Sequence, residues 1–202
     1  MTLLKDAKFA VLDTETTGLS PQTGGKICEL AISISQNGRK IEEFSTLLNP
    51  QMPMHPEVIA IHGITNEMVK DAPIFADIVP QLLDLLDGCV LVAHNADFDL
   101  GFLRGEMEHC GLRLPDYPVL DTLKLARKNG CFARNNLGMI ATSLGIDAAG
   151  AHRALADVRM TEKVLYHFLQ DFMRGGVTTL EEVQQHQFKK HESVVLGLTS
   201  LS

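Results

Sequence analysis

Asp13 and Glu15 are the first residues along the chain whose types and spacing suggest chemistry. They follow an apolar run, Phe9-Ala10-Val11-Leu12, that reads as a buried strand. Residues i and i+2 of a strand point to the same face, so both carboxylates can reach one cation. Oxygen-only ligands of this kind suit Mg²⁺ or Mn²⁺ rather than Zn²⁺. A second acidic set, His94-Asn95-Ala96-Asp97-Phe98-Asp99, follows another apolar run at 89–93 and opens a helix. Carboxylates there gain from the positive end of the helix dipole, and one of Asp97 and Asp99 could serve simply as a cap. The third set is His152-Arg153-Ala154-Leu155-Ala156-Asp157. His152 precedes the longest helical stretch, and Asp157 sits in its first turns on a polar stripe. Taken singly, each set has an ordinary structural explanation. The ordered series of three does not.

Such groups need elements that bring three distant stretches together. The strand 9–12 ends at Asp13 and gives way to a turn-rich segment from Thr14 to Pro21. A second strand spans 27–35, and Asn37-Gly38 signals a hairpin into a third at about 40–48. Short helices are expected near 56–61 and 66–69. Ile74, Ile78, Leu82, Leu85 and Leu86 then recur at helical spacing up to Gly88. A strand at 89–93 leads into a helix reaching about Cys110, and Val119-Leu120 reads as a brief strand before a helix through Lys128. Helices at 136–144 and 153–173 follow. The order predicts an α/β fold: a mixed sheet, antiparallel meander plus parallel strands, with helices packed on it. Residues 1–174 read as one catalytic-size domain, and 175–202 as an appendage that packs on the core, mediates association or is partly disordered.

The chain has 202 residues and a formal charge of −7, from 18 Lys+Arg against 25 Asp+Glu. A 45% hydrophobic and 21% charged composition excludes a disordered or collagenous chain. No apolar run approaches the roughly 20 residues of a membrane helix. The amino end carries Lys5, Asp6 and Lys8 with no long apolar core behind them, so no secretory signal is expected. Cys28, Cys89, Cys110 and Cys131 lack paired metal-site spacing and suit free thiols, which points to the cytoplasm. The acidic balance argues against a long basic groove. Four carboxylates loaded with two divalent cations would bring −7 to −3. Lys124, Arg127, Lys128 and Arg134 form the only dense basic segment, either a phosphate contact or a solvated helix face.

Asp-x-Glu-Thr-Thr-Gly, His-Asn-Ala-x-Phe-Asp and His-x-x-x-x-Asp, in this order, resemble the motifs of the DEDDh (DnaQ-like) 3′–5′ exonucleases. Within that family the chain is most similar to the proofreading exonucleases of bacterial DNA polymerase III, of the epsilon or PolC type. The resemblance covers about 8–172 and takes in His62-Gly63-Ile64 and Asp121-Thr122. It implies an RNase H-like fold with helices on both faces. It also implies four metal-binding carboxylates, Asp13, Glu15, Asp99 and Asp157, two Mg²⁺ or Mn²⁺ ions, and His152 as general base. The backbone of Thr16, Thr17 and Gly18 would face the terminal sugar, and Glu57, His62 and Phe98 would hold the terminal nucleotide. Asp97 falls to a cap or rim role, and His94 and Asn95 to structural ones. The implied activity removes nucleoside 5′-monophosphates from 3′ ends, with single-stranded DNA favoured and RNA the alternative polymer, in proofreading or repair. A proofreading role would imply a DNA polymerase as partner, with a stand-alone exonuclease as the alternative, and the chain itself is expected to be a monomer or homodimer. A nucleic-acid or polymerase-binding module would predict damage at one of the five key positions, and all five are intact.

Overall fold

The computed structural model describes residues 1–129, 132, 134–148 and 153–188. Strand β1 (Lys8–Thr16) runs antiparallel to β2 (Ile27–Gln36), which pairs antiparallel with β3 (Arg39–Leu47). Asn37 and Gly38 both take positive φ at the β2–β3 turn, as a two-residue hairpin matched to the strand twist demands. Three helices follow: α1 (Pro56–His62), α2 (Asn66–Val69) and α3 (Phe75–Leu86). Strand β4 (Val90–Ala93) then lies parallel to β1, and a left-handed residue, Asn95, turns the chain into α4 (Ala96–His109). Strand β5 (Val119–Asp121) lies parallel to β4 and continues directly into α5 (Thr122–Asn129). Helices α6 (Leu137–Ser143), α7 (Ala154–Arg174) and α8 (Leu180–Phe188) complete the described chain. The sheet order is β3-β2-β1-β4-β5, the mixed sheet expected.

Alternation along β1 feeds two cores. Ala10 and Leu12 join α3 and α4 on one face, while Phe9 and Val11 join α5 to α8 on the other. Small side chains on β2, namely Ala31, Ser33 and Ser35, let α7 lie close to that second face. Ser33 donates to Glu162, Tyr166 donates to Ser35, and Arg159 pairs with Glu43 on β3. These contacts fix where the amino end of α7 falls. The described part of the 175–202 segment packs on this core through Leu180 and Val183. It is also tied to the amino terminus, where Leu4 N–H donates to the Thr178 carbonyl and Leu180 N–H to that of Thr2.

One boundary departs from the sequence reading. The turn expected from Thr14 is strand: pairing with β2 continues through Thr14–Leu30, Glu15–Glu29 and Thr16–Ile27. The neighbouring ladder satisfies this backbone and outweighs the local turn preference of Thr and Gly. A register shift between Glu15 and Thr16 then bends the strand where the acidic pair ends.

Candidate active site

Asp13 and Glu15 lie two apart on β1 and, by strand alternation, share the face of Val11. Asp157, in the first turn of α7, comes down on that face. Asp13, Glu15 and Asp157 each offer an oxygen, and these atoms lie within 4.8 Å of one another. Asp99 arrives from the other face, near the start of α4. Its Oδ1 accepts from the Thr14 N–H at 2.9 Å and from the Thr14 hydroxyl at 2.7 Å. Thr14 lies between Asp13 and Glu15, so one residue ties the fourth carboxylate to the strand that carries the first two. Asp97, by contrast, is exposed and pairs with Lys124 at 2.7 Å.

The electrostatics match this crowding. Burial first, then the charges of Asp99, Asp157, Glu15 and Glu29, hold the Asp13 carboxyl well above the usual carboxylate range. Burial and the charges of Asp157, Glu29 and Asp99 push Glu15 up to about 7, while Arg153 pulls it down. Burial also raises Asp99, against the opposing pull of the Thr14 hydrogen bonds. A hard divalent cation takes oxygen ligands at roughly 2.0–2.6 Å, so donors within 4.8 Å can meet on one ion. The donor set therefore fits Mg²⁺ or Mn²⁺ in chemistry and spacing.

His152, the expected general base, lies outside the described residues. Thr16 is buried, and its hydroxyl donates to the Gly18 carbonyl at 2.7 Å. Thr17 exchanges two hydrogen bonds with Lys26: its N–H donates to the Lys26 carbonyl, and its hydroxyl accepts the Lys26 N–H. The chain from Thr16 to Gly18 is thus pinned just beyond the acidic pair. His62 is buried, its Nδ1 accepts the Ile64 N–H at 3.0 Å, and burial holds its pKa down. Phe98 is half-buried, with its ring centroid 5.0 Å from that of Phe102. Glu57 stands exposed in the first turn of α1 and stays outside the acidic cluster. His94 bridges Thr122 and the Asn135 carbonyl, each at 2.9 Å, in the structural role expected. Of the basic segment, Lys124 is held by Asp97 and lies 3.7 Å from Asp121.

The sequence reading passed over Glu29 and Arg153. Glu29 is a lone charge in the otherwise apolar stretch Ile27-Cys28-Glu29-Leu30-Ala31-Ile32, which was the signal available. It lies opposite Glu15 in the β1–β2 register, and its buried carboxylate accepts from Arg153 Nη2 at 2.7 Å and Nε at 3.1 Å.

Comparisons with known proteins bear on the family and the fold. The exonuclease family model RNase T matches residues 10–165. The 3′–5′ exonuclease DinG of Bacillus subtilis is 34% identical over 179 residues, covering 88% of this chain and 19% of DinG. A PolC-type DNA polymerase III of Caldanaerobacter subterraneus is 33% identical over 179 residues, covering 88% of this chain and 13% of the polymerase. The chain therefore spans less than a fifth of either relative. A structure of exonuclease X in complex with 5′-overhanging duplex DNA superposes with a TM-score of 0.69 at 28% identity, covering 89% of this chain and 99% of exonuclease X. With a mixed five-stranded sheet, a carboxylate cluster at its centre and a family match over most of its length, the chain belongs to the RNase T family of exonucleases, the DEDDh group its motifs resemble.

Proposed function

We propose that this protein is a metal-dependent 3′–5′ exonuclease that removes nucleoside 5′-monophosphates from DNA 3′ ends in proofreading or repair. The observation that carries the reading is the oxygen-only cluster of Asp13, Glu15 and Asp157, with Asp99 tied to the same strand through Thr14. These four carboxylates would hold two Mg²⁺ or Mn²⁺ ions. The bound ions supply positive charge that stabilises the attacking and leaving oxygens of an in-line displacement at phosphorus.

The chain's own groups do the rest. His152, placed as the base by its motif, takes the proton of the attacking water as general base. The backbone of Thr16, Thr17 and Gly18 faces the terminal sugar, held by the Lys26 hydrogen bonds. Phe98 offers its half-buried ring to the terminal base, a contact tolerant of sequence. Glu57 holds the terminal nucleotide from the exposed side, and His62 supports the same wall from its buried position.

DNA is favoured over RNA because PolC is a DNA polymerase and exonuclease X was solved with DNA. The PolC match likewise favours a DNA polymerase as working partner. The test is digestion of matched 5′-labelled DNA and RNA oligonucleotides with Mg²⁺, Mn²⁺ or EDTA, beside His152→Ala and Asp13→Asn. A cation-dependent ladder shortening from the 3′ end, faster on DNA and lost in both variants, supports the reading. Faster loss of RNA transfers it to an exoribonuclease. No ladder with any cation overturns it.

A further inference from the structure

Helix α7 carries Asp157 to the cluster, yet its N-cap residue, Arg153, makes no side-chain capping hydrogen bond among the described residues. The cap comes from the sheet instead. Glu29 Oε2 accepts the Ala154 N–H at 3.1 Å, the first amide of the helix. The same carboxylate takes the Arg153 guanidinium in a two-pronged contact, Oε1 to Nη2 and Oε2 to Nε. A carboxylate at a helix amino end and a forked guanidinium pair are each strong, directional contacts, and here one carboxylate makes both. The Arg153 carbonyl in turn accepts the Asp157 N–H at 3.1 Å, so the pinned residue and the acidic residue share one turn.

The placement is costly unless it serves a purpose. Glu29 has 4% side-chain exposure and sits directly across the strand pair from Glu15, where like charges repel. A buried ion pair is on average no more stabilising than apolar packing, so stability alone is a weak reason to keep one beside the cluster. The Arg153 side chain is half-exposed and offsets both glutamates. Arg153 also follows His152 directly in the chain.

We propose that Glu29 and Arg153 are positioning residues, a lock that holds the first turn of α7 on β2 and thereby keeps Asp157 within reach of Asp13 and Glu15. The proposal rests on the exonuclease reading above. Groups that orient metal-binding side chains typically affect metal affinity or activity by roughly 10–100-fold when changed. Glu29→Gln keeps the shape and removes the charge. Arg153→Lys keeps the charge and removes the fork.

The experiment measures Mn²⁺ binding by titration calorimetry and by the Mn²⁺-induced rise in melting temperature, and kcat and KM on a 5′-labelled oligodeoxynucleotide. In both variants Mn²⁺ affinity should fall roughly 10-fold or more and kcat by roughly 10–100-fold, with KM within about twofold of the wild type. A folded variant with wild-type Mn²⁺ affinity and kcat overturns the proposal. So does a change confined to KM, which would make Arg153 a substrate contact. If Glu29→Gln does not fold, Arg153→Lys decides, because that side chain is half in solvent. A wild-type protein that binds Mn²⁺ without hydrolysing either polymer defeats the exonuclease reading. The lock then still stands or falls on the Mn²⁺ titrations.

Discussion

Asp13, Glu15 and Asp157 gather three carboxylates where burial and neighbouring charge raise the cost of ionising Asp13 and Glu15, and this crowding has measurable consequences before any substrate is added. Glu15 titrates near 7 in the folded protein against an ordinary 4.5, and Asp13 is raised as well. A carboxyl raised on folding stays protonated in the native state where the unfolded chain has already lost its proton. Through Glu15, stability without metal therefore falls as pH rises from about 4.5 to about 7, and the raised Asp13 acts in the same direction. A divalent cation removes the repulsion, so the melting-temperature gain from Mn²⁺ over EDTA should be several degrees larger at pH 8 than at pH 5.5. Equal gains at the two pH values would contradict this. Asp13→Asn in EDTA at pH 8 should melt above the wild type and lose most of the Mn²⁺ gain. Spacing alone left Asp97 and Asp99 as equals, since both lie in the first turn of α4. The difference comes from Thr14, on another element, whose N–H and hydroxyl both reach Asp99. Asp99→Asn should lower kcat by at least about 100-fold, whereas Asp97→Asn, at an exposed rim, should leave it within a few-fold.

Strand β5 closes the sheet on the side of the site, and its open edge is covered by a side chain. Gln187, buried on α8, accepts the Asp121 N–H at 3.0 Å and donates to the Val119 carbonyl at 3.1 Å, as a neighbouring strand would. Asp121 in turn accepts the N–H groups of Asn95, Leu123 and Lys124, so the edge is continuous with the turn that launches α4 and Asp99. Gln187→Leu keeps the bulk but leaves the Asp121 N–H without its acceptor, while the Val119 carbonyl keeps only the longer bond from Gln184 Nε2 at 3.4 Å. At about 1–3 kcal/mol for one unpaired buried group, it should lower the urea-unfolding free energy by about 1–3 kcal/mol. A loss below about 0.5 kcal/mol would mean that water replaces the amide. This device was not legible in the sequence. Gln184-Gln185-His186-Gln187-Phe188 reads as an amphipathic surface helix, and nothing local to it names a strand 66 residues away. The elements themselves were legible, because apolar periodicity and Asn-Gly or helix-ending Gly mark them from within. What failed was the end of β1, decided by pairing with β2. Gly25 gives a second check at this scale. A Cβ there would stand 2.8 Å from the Ser20 carbonyl oxygen and 3.0 Å from the Phe102 ring. Gly25→Ala should therefore cost about 1–3 kcal/mol in the same unfolding experiment, by forcing open the loop that leaves the site.

At the scale of the whole molecule, the proposed activity asks a protein of net charge −7 to hold a polyanion. The carboxylates of the cluster contribute to that charge, and two bound divalent cations would bring it to −3, still unfavourable at long range. Lys124, the best-placed lysine of the basic segment, is held by Asp97 and faces Asp121, so part of the segment's charge is already matched. Substrate must then be held by a few local contacts near the terminal nucleotide rather than by a long electrostatic groove. Single-stranded DNA binding loses affinity with salt at a log–log slope of about −0.7 per phosphate neutralised. With about three phosphates contacted, a fourfold rise in salt lowers affinity roughly 10–20-fold. The chemical step on bound substrate depends on charges inside the cluster, which bulk salt screens far less. Raising KCl from 50 to 200 mM (about fourfold) should therefore raise KM for a DNA oligonucleotide about tenfold or more while the single-turnover rate on saturated enzyme stays within about twofold. A trap of unlabelled DNA should likewise limit each encounter to a few nucleotides removed. Equal insensitivity of both constants to salt, or long tracts digested in the presence of the trap, would require a binding surface that the described residues do not carry.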